Sequence, residues 1–106
     1  MNWIANADLK PYNTFGVAVS AQWMVECNSV ADIREAIQDE RWKTMPRLIL
    51  GGGSNVLFTQ DFDGIVLLNR LSGIELVNQD DTFVWVKSHA GEVWHSFVLH
   101  CIQNQW

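Results

Sequence analysis

The chain has 106 residues, room for one small domain with one modest core. Its formal net charge is −5, with seven basic residues against twelve acidic ones, which argues against nucleic acid or an anionic membrane as the main partner. Hydrophobic residues make up 48% of a globular composition, and no apolar run approaches the length of a membrane span.

Met1 to Asp8 lack both a basic start and a long apolar core, so they do not read as a signal peptide. Residues 1–12 read as an irregular arm, with Pro11 restricting the backbone before it. Asn13-Thr14-Phe15-Gly16 follows as a loop ending in a turn glycine, and its Asn and Thr can offer donors to a ligand. Trp23-Met24-Val25-Glu26-Cys27 suits a strand, and Asn28 or Ser29 then caps a helix with Asp32 in its first turn. Val30, Ile33 and Ile37 recur at helical spacing, so the helix is expected from Val30 to about Arg41. After Pro46, Arg47 to Leu50 is a short continuous apolar strand of the kind found in a covered parallel sheet. Strand, helix and strand make a βαβ unit.

That second strand runs into Gly51-Gly52-Gly53-Ser54-Asn55-Val56-Leu57. Three consecutive glycines weaken the backbone entropically and contribute no packing. A tight turn needs one or two of them, seldom three. Without Cβ atoms, successive N–H groups can turn to one side and form an anion nest. The loop lies at the carboxyl end of a strand, the edge where open α/β sheets bind ligands.

Asp61-Phe62-Asp63-Gly64 reads as a turn, and Ile65 to Leu68 as a third buried strand. The character changes near Leu71 to Gly73, which places a subdomain boundary there: 1–71, then 72–106. Ile74–Val77 and Phe83–Lys87 predict an antiparallel hairpin. Trp94, Phe97, Val98, Cys101 and Gln105 follow a helical course, read as core, with Glu92 near the helix N-terminus. This helix is expected to run to Trp106, because no stop signal precedes the end, and the chain then reads as an N-terminal fragment.

Several chemistries are absent from the sequence. No lysine follows Gly53, so this is not a P-loop, and Val56 stands where a Rossmann fingerprint needs its third glycine. His89, His95 and His100 lack zinc spacing, the turn aspartates suggest no metal, and no nucleophile elbow is present. Cys27 and Cys101 are far apart, with no CxxC, and read as reduced thiols. What remains is a loop fitted to cradle a phosphate or diphosphate, whether in a stand-alone nucleotide-binding module or in part of an enzyme.

The order of the motifs is more specific than any one of them. Asn13-Thr14-Phe15-Gly16, Leu50 through Leu57, Asp63-Gly64, Asn69-Arg70, Gly73-Ile74 and Ala90-Gly91-Glu92-Val93-Trp94-His95 together resemble the start of the UDP-N-acetylenolpyruvoylglucosamine reductase family, flavoenzymes of bacterial peptidoglycan precursor synthesis. The resemblance implies an α/β (α+β) fold of the vanillyl-alcohol-oxidase or PCMH flavoprotein type, with FAD held between two subdomains. It implies that Gly51, Gly52, Gly53, Ser54 and Asn55, with Val56 and Leu57, bind the FAD pyrophosphate. Asn13, Thr14, Phe15 and Gly16 would lie along the flavin side of the same cleft. In the family, NADPH reduces FAD, and a hydride then passes to the enolpyruvyl group of a UDP-sugar, in the cytoplasm. The catalytic serine, arginine and glutamate of the family have no counterpart before Trp106, so the chain alone is expected to be inactive and to hold FAD weakly or not at all.

Overall fold

The computed structural model describes residues 1–106. Four strands form the main sheet: β1 (Trp3–Asp8), β2 (Ser20–Cys27), β3 (Arg47–Leu50) and β4 (Phe62–Asn69). Their spatial order is β1-β2-β4-β3, with β2, β4 and β3 mutually parallel and β1 antiparallel to β2. The strands of the expected βαβ unit are thus parallel but not adjacent, because β4 inserts between them. Gly64 to Leu68 of β4 are all buried, as a parallel strand covered on both faces should be. β3 is the edge strand instead: Arg47 and Ile49 are exposed, which corrects the expectation that it is covered.

One face of the sheet is covered by helices. Val25, Cys27, Ile65 and Leu67 pack with Ala36 of α1 (Val30–Gln38), bordered by Trp3, Trp23, Ile33, Trp42 and Met45. Ser29 caps α1 by accepting the Asp32 N–H at 3.1 Å. Ala36, not Ile37, makes the buried contact, and its small side chain lets the helix lie close to the sheet. The helix stops short of Arg41, because the extended residue Asp39 (φ −68°, ψ 140°) caps a separate α2 (Glu40–Thr44) by accepting the Arg41 N–H. Arg41 then pairs with Asp39 at 2.9 Å while its guanidinium sits 4.0 Å from the Trp3 ring centroid and 4.5 Å from that of Trp23. Burial pushes the Cys27 thiol above its ordinary range, and both cysteines are free.

The opposite face is sealed by loops. Ala7, Ala21, Met24, Leu50, Val66 and Leu68 form a core closed by Leu9 and Phe58, with Tyr12, Val17, Val19 and Val56 at its margin. The two segments that cover this face are therefore the same two that carry the Asn13–Gly16 and Gly51–Leu57 motifs. Both are anchored by apolar residues at their ends.

The N-terminal residues are more regular than expected. Trp3–Asp8 pairs with β2, and Lys10–Tyr12 makes a single 3-10 turn with Pro11 in its first positions. Apolar alternation could not show β1, because only Ala7 of this strand is fully buried.

The remaining elements are the antiparallel hairpin of β5 (Ile74–Gln79) and β6 (Val84–Ser88), followed by α3 (Trp94–Gln103). The Asp80 carboxylate closes the hairpin turn by accepting the Thr82 and Phe83 N–H groups, which hold it below its ordinary pKa. No residue of β5, β6 or α3 is buried. Trp94 is 74% exposed and Phe97, Val98 and Cys101 are only half-buried, so the helix face expected to be core is incompletely covered. The chain is accordingly extended, 50 × 31 × 18 Å with a radius of gyration of 16.3 Å, where a compact domain of this length would have about 13 Å.

Nor does α3 run to the last residue. Gln105 adopts φ +59°, its N–H bonds the Ile102 carbonyl, and the Trp106 N–H reaches back to Cys101. This is a Schellman motif, formed without the glycine that usually signals it. Glu92 lies one residue before the Val93 N-cap, and its carboxylate accepts the Gly73 N–H at 2.6 Å.

Candidate functional site

The glycine loop leaves β3 at Leu50, which is buried, and is anchored again at Phe58. Between these anchors the three glycines play different parts. Gly53 is buried at φ +74°, and a Cβ there would overlap the Tyr12 carbonyl and crowd Asn13 Cα. At Gly52 nothing lies within 4 Å of where a Cβ would stand, so its missing side chain opens space to solvent. At Gly51 the nearest atom is the Ala90 carbonyl oxygen, at 4.0 Å. Packing therefore demands Gly53, whereas nothing within the chain demands Gly52, which leaves that position open to an approaching ligand.

The hydrogen bonds of the loop are equally uneven. No backbone N–H from Gly52 through Phe58 donates to a protein carbonyl. None donates to a side chain; the nearest side-chain bond in sequence is that of Asp61, which accepts the Ser20 N–H at 2.9 Å. Gly52, Ser54, Asn55 and Leu57 are exposed, so their amides face solvent and are open to an external acceptor. The Ser54 and Asn55 side chains are exposed beside them. Val56 packs against the loop-sealed core, while Leu57 is 62% exposed.

The Asn13–Gly16 segment is brought directly against this loop. The Thr14 N–H donates to the Gly53 carbonyl at 3.1 Å. The Gly16 N–H closes a turn on the Asn13 carbonyl, with Gly16 at φ +65°. The side chain of Asn13, however, has no free donor for a ligand. Its side-chain amide donates to the Leu9 and Val17 carbonyls, at 2.8 and 3.2 Å, and its Oδ1 accepts the Val17 N–H at 2.9 Å. Asn13 staples its own loop. Thr14 and Phe15 are exposed beside it.

A third segment borders the site, and sequence reasoning used it only as part of the ordered motifs. The Gly91 N–H bonds the Leu71 carbonyl at 2.8 Å, and a Cβ at Gly91 would collide with the Arg70–Leu71 backbone. That close approach sets Ala90 beside Gly51. The signal was the Ala90-Gly91 pair itself, whose glycine is explained by the contact with Leu71 rather than by the start of a helix.

Two surface depressions lie elsewhere. One of about 390 Å³ is lined by Asn6, Ser20, Gln22, Asp61 and Asp63, at the amino ends of β2 and β4. The other is lined by residues including Asn2, Glu26 and Asp32. Both are rimmed by carboxylates, which repel an anion, whereas the glycine loop offers neutral donors on an open surface.

Residues 21–106 match the family described as FAD binding domain. The chain belongs to that family. The UDP-N-acetylenolpyruvoylglucosamine reductase of Flavobacterium johnsoniae is 43% identical over 102 residues, 96% of this chain and 30% of that protein. The enzyme of the same name from Vibrio vulnificus is 41% identical over 99 residues, 93% of this chain and 28% of that protein. The FAD-binding domain described here thus spans under a third of the length of these curated relatives. Among solved structures, the UDP-N-acetylenolpyruvylglucosamine reductase of Thermus caldophilus is similar with a TM-score of 0.59, over 97% of this chain and 33% of that one, at 23% identity. That likeness shows a shared fold. The resemblance drawn from the ordered motifs and the mixed α/β FAD-binding fold are both borne out.

The donor set of the loop fits the cofactor of this domain family. A diphosphate needs several convergent donors and room for its oxygens, and neutral amides can supply both without a lysine. Gly52, Gly53, Ser54 and Asn55 would supply such donors, and the open position at Gly52 would leave the room.

Proposed function

We propose that this chain forms the FAD-binding part of a flavoprotein that uses NADPH to reduce UDP-N-acetylenolpyruvoylglucosamine to UDP-N-acetylmuramate in peptidoglycan synthesis. The observation that carries the reading is the run of open amides without protein acceptors from Gly52 onward, at the carboxyl end of a parallel strand in a chain of the FAD-binding family. The Gly51–Asn55 loop binds the FAD diphosphate through its backbone, with Val56 and Leu57 flanking it. Thr14, Phe15 and Gly16 line the flavin side of the cleft, and Asn13 holds them in place. The subdomain boundary falls between Leu71 and Ser72.

When bound, FAD supplies hydride transfer between NADPH and the enolpyruvyl group of the UDP-sugar. This chain's residues hold and orient the cofactor; none of them stands as an acid, base or nucleophile at the loop. The groups with clearly displaced pKa values, Cys27, Asp39, Arg41 and Asp80, do not belong to the loop motifs. The chain spans 28–30% of the length of its curated relatives, and turnover is assigned to the whole protein. The cytoplasm, where nucleotide sugars and NADPH occur together, is the location that goes with this activity.

The test is a titration of FAD with the intact protein that carries this chain, followed by quenching of flavin fluorescence, in wild type and in Gly52→Val. Wild type quenches and the variant does not, while their far-UV circular dichroism agrees. Equal binding by the two, or turnover of substrate by the wild-type 106-residue chain, contradicts the reading.

A further inference from the structure

We propose that Thr14 is a positioning residue of the phosphate site, acting through its backbone N–H on the Gly53 carbonyl rather than by touching the phosphate. The inference rests on the reading of the glycine loop as a phosphate cradle, and adds which amide is aimed and what aims it.

The Thr14 N–H meets the Gly53 carbonyl at 3.1 Å. Every peptide bond in the chain is trans, so the carbonyl of one residue and the N–H of the next point in opposite directions. Holding the Gly53 carbonyl toward Thr14 therefore turns the Ser54 N–H away from the 13–16 segment. That amide has no acceptor in the protein. A loop with free amides and no lock would rotate its peptide planes and present its donors in no fixed direction. Here one plane is fixed from behind, and a donor fixed before binding costs less ordering when the ligand arrives.

The lock is itself held. Thr14 is the second residue of a turn closed by the Gly16 N–H on the Asn13 carbonyl. Neither Thr14 nor Phe15 has a positive φ, which excludes types I′, II and II′, and the closing hydrogen bond matches a type I turn, whose second position has φ near −60°. The Asn13 side chain ties the ends of this turn region through Leu9 and Val17. The chain thus presents the Thr14 N–H from a stapled loop, whatever its own side chain does.

Proline is favoured at that turn position, and Asn13 already has the φ of −130° and ψ of 139° that a residue before proline requires. Thr14→Pro thus removes the one donor and keeps the turn, whereas Thr14→Ala removes the side chain and keeps the donor. The ¹⁵N-labelled chain is titrated with inorganic pyrophosphate, and the amide signals of Gly52 to Asn55 are followed by NMR. In wild type and Thr14→Ala the Ser54 amide shifts and saturates alike. In Thr14→Pro, with the dispersed signals of the folded sheet unchanged, affinity falls about tenfold and the ligand-free signals of this loop broaden. Undiminished binding by Thr14→Pro overturns the positioning role and leaves the phosphate site standing. A Thr14→Ala loss equal to that of Thr14→Pro overturns it too, because the side chain would then be the contact. A wild type that pyrophosphate does not shift overturns the phosphate reading and this inference with it.

Discussion

A Cβ at Gly53 would overlap the Tyr12 carbonyl oxygen, and this contact joins the two loops that seal one face of the sheet. Gly53 also stands at φ +74°, where an L side chain is strained. Gly53→Ala is therefore expected to destabilise the fold by about 3 kcal/mol, from backbone strain and overpacking together. Gly52→Ala, with open space around it, is expected to stay within about 1 kcal/mol of wild type. Urea unfolding of the two variants separates them, and equal midpoints would show that the loops are not packed as described.

Asn13 is buried, with three hydrogen bonds from its side chain. Asn13→Ala leaves the Leu9 and Val17 carbonyls and the Val17 N–H without those partners. The expected cost is about 2 kcal/mol, read as a lowered melting temperature. A variant that melts like wild type would mean that the side chain is not a staple.

The Asp39–Arg41 pair makes a statement about pH. Hydrogen bonds from Arg41 lower the Asp39 carboxyl from 3.8 to about 2. A depressed folded-state pKa gives stability that is present above the unfolded value and lost as pH falls toward the folded one, so the pair matters above about pH 4 and fades toward pH 2. In Arg41→Ala the Asp39 titration returns to the ordinary carboxylate range, measurable by side-chain carbonyl NMR. The near-ultraviolet signal of the tryptophans changes as well, since Trp3 and Trp23 lose the cation between them. Both sites lie on the helix-covered face, so FAD binding is unaffected.

Gln105 is the residue that turns α3 off. Glycine adopts its left-handed conformation without steric cost, so Gln105→Gly is expected to be neutral or to stabilise the helix by up to about 1 kcal/mol. Gln105→Val should fray the last turn. Helical ellipticity near 222 nm distinguishes the two, and a gain with valine would contradict the Schellman geometry.

These relationships also show what the amino-acid sequence made legible. The run of apolar residues in β4 and the Asp80 turn were readable because burial and turn chemistry act locally there. The glycine loop could be read as a donor set because three glycines have no packing value of their own. Residues whose reasons lie across the fold were not readable. β1 exists because β2 needs a partner along its free edge, not because its own sequence alternates. Ile37 follows the helical period but points outward, since the close approach at Ala36 sets the rotation of α1. Trp94 fits a core pattern on a helix that has no core beneath it. Asn13 looked like a ligand donor because nothing local shows that Leu9 and Val17 already occupy its amide.

The most direct measurement for the FAD assignment is an NMR titration of the labelled wild-type chain with FAD, with shifts mapped residue by residue. The account predicts that the amides of Gly52, Gly53, Ser54 and Asn55 move first and furthest, with Thr14 to Gly16 following. Shifts confined to Asn6, Gln22 and Asp63, in the depression at the opposite ends of the strands, would contradict it.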